Sequence, residues 1–127
     1  MLSTTTVFEG NLAATPEMRF TPSGKHVLEF TILVNRRRQD NAGEWVDEEP
    51  TRHQVKAFGQ LAQNIADSAG TGDRLIVAGS VVTETWTDKE TGDKRTAPKV
   101  LADAVGSSLR WATASTTKND RTEQPVS

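Results

Sequence analysis

The stretch Arg52-His53-Gln54-Val55-Lys56-Ala57-Phe58-Gly59 places unlike chemistry on the two sides of one extended segment. Side chains of a strand alternate, so Arg52, Gln54, Lys56 and Phe58 share one face while His53, Val55 and Ala57 share the other. The second face is ordinary interior. The first joins cations, an amide and a large aromatic ring. Phe58 offers a plate on which a flat group can stack, and Arg52 can neutralise an anion or stack its own guanidinium plane. The plain alternative is that Phe58 caps the end of a barrel and the cations are solvated.

Other chemistry finds little support. His26 and His53 are far apart in sequence, and there is no cysteine, so a zinc site is not expected. The segment "GTGDR" leads into a strand pattern and not a helix, which removes a phosphate-binding loop of the usual form. Serines and carboxylates are scattered without a nucleophile-and-base arrangement. The expectation is a binding protein with no catalytic residues, no metal and no cofactor.

At 127 residues the chain is long enough for one domain with a buried core. The absence of cysteine excludes disulfides and favours an intracellular setting. "MLSTTTVFEG" lacks the basic segment and apolar run of a signal peptide, and no apolar stretch reaches the roughly 20 residues that span a bilayer. A cytoplasmic protein without membrane contact is expected. The net charge of −2 hides an uneven distribution, with Arg36-Arg37-Arg38 close to the acidic run "EWVDEE". Such separation can leave a basic groove on a nearly neutral molecule.

The elements that must position these residues are mostly strands. "STTTVFEGNLA" reads as a first strand and "ATPEMRFTPSGK", with two prolines and a glycine, as a loop. In "VLEFTILVN" the residues Leu28, Phe30, Ile32 and Val34 share one face of a second strand. A polar hairpin around Asn41 and Gly43 leads to a third strand from Trp45 to Phe58, in which Pro50 marks a break, a bulge or an edge. Leu61, Ala62, Ile65, Ala66 and Ala69 then form a helical stripe ended by Gly70 and Gly72. "DRLIVAGSVVTETW" is a fourth strand bent at Gly79, and "TAPKVLADAVG" a fifth after a polar turn. Residues 115–127 are polar with little to bury and are expected to be disordered, leaving a domain over residues 1–114. Three strands, a helix and two strands is the order of the OB-fold, a five-stranded Greek-key barrel with its helix between strands 3 and 4. The fold class is all-β with one short helix. Another small barrel or sandwich with an incidental helix is the structural rival.

The chain resembles the bacterial single-stranded DNA-binding proteins, particularly those of actinobacteria. The residues that carry the resemblance are Gly10-Asn11-Leu12, the loop from Pro16 to Gly24, Gly43-Glu44-Trp45, Phe58-Gly59, Trp86, Gly106 and Ser108-Leu109-Arg110, and together they cover about residues 4–114. The resemblance implies single-stranded DNA binding with little sequence preference, in replication, recombination and repair, by a homotetramer whose contacts come from strand 1 and the outer barrel surface. His53 lies near a surface of subunit contact in the family, or is a satisfied core histidine. Family members carry aromatic stacking residues where this chain has Arg37 or Arg38 and Arg52. They commonly end in an acidic tip that docks partner proteins, and Glu123-Gln124-Pro125-Val126-Ser127 does not match it, which puts recruitment through the tail in doubt.

A protein that coats single strands regardless of sequence needs plates for stacking and cations along the phosphates. Phe58 and Trp86 fit the first role, and Trp45 is a further candidate; Arg36, Arg38, Arg52 and Lys56 fit the second. Phosphate contact is expected of Arg38, while Arg52 stays open between phosphate and stacking. Trp86 plugging the barrel end, and the arginine run as solvated surface, are the plain alternatives. Trp111 is expected to pack. The rival functions are an OB module that binds RNA or a protein, and a structural barrel without a nucleic-acid role.

Overall fold

Fourteen residues of alternating pattern, His26–Gln39, make the strand against which much of the sheet assembles. In the computed structural model, which describes residues 4–120, the chain runs β1 (Thr4–Leu12), β2 (Glu17–Phe20), β3 (His26–Gln39), β4 (Trp45–Phe58), α1 (Gly59–Ser68), β5 (Arg74–Thr87) and β6 (Lys94–Ser107). β1 pairs along its length with β5, and its last residues pair with β3 as Asn11↔Leu33 and Leu12↔Ile32. β5 pairs with β6, β6 runs parallel to β4 at Val55↔Val100 and Lys56↔Leu101, and β4 pairs with β3. The ring β1-β5-β6-β4-β3 therefore closes on itself as a five-stranded barrel, the OB arrangement.

The inward set matches the alternation read from sequence. Leu28, Phe30 and Ile32 on β3, Val55 and Ala57 on β4, and Leu75 and Val77 on β5 are buried, and α1 adds Ala62 and Ile65 to the same core. Leu61, Ala66 and Ala69 pack against it, so the expected helical stripe is the face that docks. Burial of this apolar surface, worth roughly 25 cal/mol per Å², is the main force holding the barrel.

The sequence reading assigned Ala14–Lys25 to a loop. The structure corrects this, because Glu17–Phe20 forms a short sixth strand on the edge of β3. Pro16 and Pro22 stand just outside it, where no ladder hydrogen bond is required of them. Four residues are too few for a period to show. The turn that follows is closed by the Thr21 N–H donating to the Lys25 carbonyl at 2.9 Å, with Gly24 at a φ of 86°.

Two irregularities shape the barrel. Between Val34↔Thr51 and Arg36↔Glu48 the strand β4 has one residue more than β3, so Pro50 sits in a bulge. Between Ala78↔Ala104 and Gly79↔Ala102 the extra residue, Asp103, is on β6. Gly79 is buried against β6 at this point, and a Cβ there would collide with the Leu101 carbonyl oxygen.

Beyond β6 the Ser108 hydroxyl donates to Glu9 at 3.2 Å, and Arg74 donates to the same carboxylate at 2.7 Å. The Arg74 hydrogen bond holds the Glu9 carboxyl below its usual range against a smaller upward push from burial. Residues 112–120 have no regular secondary structure, although Asn64 of α1 donates to the Asn119 side chain at 2.8 Å. The last part of the expected disordered tail, residues 121–127, lies outside the described residues.

Gly79→Ala should destabilise the fold by about 1–3 kcal/mol, since backbone must shift to admit the methyl group. Gly70→Ala, where a Cβ meets nothing within 4 Å, is the control and should be near neutral. Chemical denaturation of both variants checks the pair, and equal stability would show that β5 and β6 do not need the close approach.

Candidate nucleic-acid interface

Strand register determines which side chains share the outer surface of the barrel. Phe58 pairs with Val27, Lys56 with Glu29, Gln54 with Thr31 and Arg52 with Leu33, so these eight residues of β3 and β4 point outward together. The mixed face read from "RHQVKAFG" is therefore real, and its partner face (His53, Val55, Ala57) is turned inward. Phe58 is 38% exposed and does not plug the barrel. Trp86, 47% exposed, follows Glu84 by two residues on β5, and Glu84 pairs with Lys56. Phe58, Lys56, Glu84 and Trp86 thus lie along one surface.

Two aromatic-rich details were not singled out in the sequence. A shallow depression beside Phe58 is lined by Arg19, Phe20, Val27, Glu29 and Lys56 among others. Phe20 is 66% exposed there and its ring lies 4.9 Å from that of His26, while Lys25 sits 5.4 Å above the Phe58 ring. The signal for Phe20 was a large aromatic between two prolines, but with its segment read as loop it had no face to belong to.

The centre of the surface is ion-paired. Lys56 meets Glu84 and lies 3.3 Å from Glu29, and Glu29 also pairs with Arg19. The hydrogen bond to Glu84 raises the Lys56 pKa, against burial and with help from Glu29. Burial pushes Glu29 up, but the hydrogen bonds from Arg19 and Lys56 prevail and hold it below the usual carboxylate range. Arg52 has no ion pair among the described residues; it borders a second depression, with Glu29, Thr31 and Gln54.

The arginine run divides across the hairpin ribbon. Alternation from Leu33 puts Arg37 on the side of Arg52, and Arg36 and Arg38 on the other. Arg38 and Arg36 both pair with Glu48, at 3.0 and 3.5 Å. The sequence reading set Arg36 and Arg38 beside the groove; the outward side instead receives Arg37. Trp45, 60% exposed, pairs with Gln39 on this same side, and the Arg37 guanidinium lies 5.8 Å from its ring. Of the arginines at the places where the family resemblance implies an aromatic (Arg37 or Arg38, and Arg52), Arg37 and Arg52 share a side.

His53 faces inward and stacks on Phe8, with ring centroids 4.0 Å apart and planes 18° from parallel. Burial lowers its pKa. Trp111, expected to pack, is 76% exposed, with only the Arg110 guanidinium over its ring at 5.2 Å. Ser108 is the last buried residue among those described, and Leu109 beyond it is exposed like the indole. Among the described residues no group of histidines and carboxylates could hold a metal ion, and no helix is long and apolar enough to cross a membrane.

Comparison with known proteins matches residues 3–108 to the model of the single-strand binding protein family. The chain belongs to this family. It is similar to the single-stranded DNA-binding protein of Mycolicibacterium smegmatis, 41% identical over 119 residues that make up 93% of this chain and 72% of that protein. It is also 42% identical to single-stranded DNA-binding protein 2 of Streptomyces coelicolor, over 86% of this chain and 55% of the relative. The crystal structure of a small single-stranded DNA-binding protein from Streptomyces coelicolor superposes with a TM-score of 0.70 at 30% identity, covering 86% of this chain and 97% of that one. The family membership inferred from sequence motifs, and the fold with it, are borne out.

Salt dependence separates phosphate contact from stacking for these arginines. Each phosphate neutralised on a single strand adds about 0.7 to the slope of log affinity against log salt. Arg52 has no ion pair among the described residues, so Arg52→Ala is expected to flatten that slope by about 0.7. Arg38 already shares Glu48, so Arg38→Ala should flatten it less. Titrations at four or more salt concentrations measure both, and an Arg52→Ala slope equal to wild type would remove the phosphate contact.

Proposed function

We propose that the outer surface carrying Phe58 and Trp86 binds single-stranded DNA with little sequence preference. The observation that carries this reading is two exposed aromatic rings, on β4 and β5, along one outer surface joined by the Lys56–Glu84 ion pair, in a chain of the single-strand binding protein family. Bases of any identity stack on a ring, and Arg52, Arg37 and the cationic edge of the ribbon follow the backbone. Trp45, paired with Gln39 beside Arg37, extends the row of rings, and Lys56 lies in the floor between Phe58 and Trp86. Arg36 and Arg38 share Glu48 on the reverse side of the ribbon. The protein is a binder and not an enzyme. It protects and organises exposed strands during replication, recombination and repair, which places its work with the chromosome in the cytoplasm.

Titration with single-stranded DNA, single-stranded RNA and duplex DNA, followed by tryptophan fluorescence, tests the reading. Single-stranded DNA should quench Trp86 and bind far more tightly than duplex. Phe58→Ala and Trp86→Ala should each weaken binding by about 1–3 kcal/mol per stacked base. Unchanged affinity in both folded variants would sink the surface assignment.

Assembly as a homotetramer is part of the same proposal. Val7 on β1 is 66% exposed and Ile76 on β5 is 39% exposed, and the pairings Val7↔Ala78 and Glu9↔Ile76 put them side by side on the outside of the barrel. Apolar side chains grouped on an outer strand face suit burial against a second copy. A chain ending at Ala114 should keep both the tetramer and its affinity for DNA. Sedimentation that gives a monomer, for the full or the shortened chain, overturns the assembly.

A further inference from the structure

Lys56 stands in the floor of the proposed binding surface, yet its charge is already matched. Its ammonium meets Glu84 of β5 and lies 3.3 Å from Glu29 of β3, while Arg19 of β2 pairs with the same Glu29. Four strands thus contribute to one cluster of two cations and two anions, with no net charge. Its three central side chains are sheltered, 21% exposed for Lys56, 30% for Glu29 and 31% for Glu84. Partly exposed ion pairs add little to stability, and the barrel core of Leu12, Leu28, Ile32, Val55 and Val77 lies on the other side of the sheet. The cluster has another use.

We propose that Glu29 and Glu84 are selectivity residues: by cancelling Lys56 they make the floor of the surface accept bases and turn phosphates away. The inference rests on the single-stranded DNA reading above. A free ammonium between Phe58 and Trp86 would draw a phosphate onto the floor and leave the bases facing solvent. Held between two carboxylates, Lys56 instead lends its hydrocarbon stem to the depression it lines with Phe58 and Val27, an apolar floor on which a base can lie. Lys25, 5.4 Å from the Phe58 ring centroid and without an ion pair among the described residues, belongs with the cations left to phosphate. The carboxylate oxygens repel phosphate, while they can accept a hydrogen bond from the exocyclic amine of a base. Phosphates are directed to the rim, where Arg52 is unpaired among the described residues. A duplex, which offers its backbone first and keeps its bases stacked inside, gains nothing from such a floor.

The test uses Glu84→Gln, Glu29→Gln, the double variant, and the double variant with Lys56→Gln added. Glutamine keeps the shape and accepting oxygen of each glutamate while removing its charge. Affinity for a single strand and for a duplex of the same length is measured across salt concentrations. The double variant should steepen the single-strand salt slope by about 0.7 for each cation released. Adding Lys56→Gln should take back the part that belongs to Lys56. Duplex affinity should rise relative to single-strand affinity in the double variant, and each single variant should move the same way by less. A double variant whose slope superimposes on wild type, or whose preference for single strand over duplex is unchanged, overturns the inference while leaving the wild-type reading intact. Wild-type protein that fails to bind single-stranded DNA removes that reading and this inference together.

Discussion

Closure of the barrel depends on backbone meeting backbone where no side chain can stand. At Gly10 a Cβ would run into the Leu33 carbonyl oxygen, and at Gly79 into that of Leu101. The first contact is where β1 leaves β5 and begins to pair with β3; the second is where β5 turns against β6. Neither glycine has a positive φ, so the requirement is space and not an unusual conformation. With both strands seated, Leu12, Ile32 and Val77 are sealed from water, and the outer registers that group Phe58 with Lys56 and Glu29 follow.

A net charge of −2 sits awkwardly with a protein that binds a polyanion. The fold resolves this by distributing charge locally. Glu29 and Glu84 pair with Lys56 and Arg19, and Asp47 pairs with Arg37, while Arg52 has no ion pair among the described residues. Long-range steering by such a molecule is weak, so binding through the proposed surface depends on contact. Long hairpins join β3 to β4 and β5 to β6. Asp40 and Asp88 shape their tips, each accepting from backbone N–H groups two residues on, at 2.9 and 2.8 Å.

Much was legible in the sequence because it is local. The period-two pattern of β3, the mixed face of β4 and the helical stripe of α1 each follow from alternation or helical spacing within a few residues. Gly79 and Pro50 announced irregularities, though not which strand would carry the extra residue. β2 was missed because an edge strand of four residues is held by its neighbour and not by its own pattern.

Sequence by itself determined which residues alternate, where the helix lies and which family motifs stand in order, because these depend on chemistry close along the chain. Only the tertiary structure decided what crosses between strands. Arg37, and not Arg38, came to the side of Arg52 because the β3 alternation runs unbroken past the bulge at Pro50. His53 found Phe8 of β1, and Lys56 found Glu29 and Glu84 on two other strands. Such partners are set by barrel register, a property of strands far apart in sequence, and no local period encodes it.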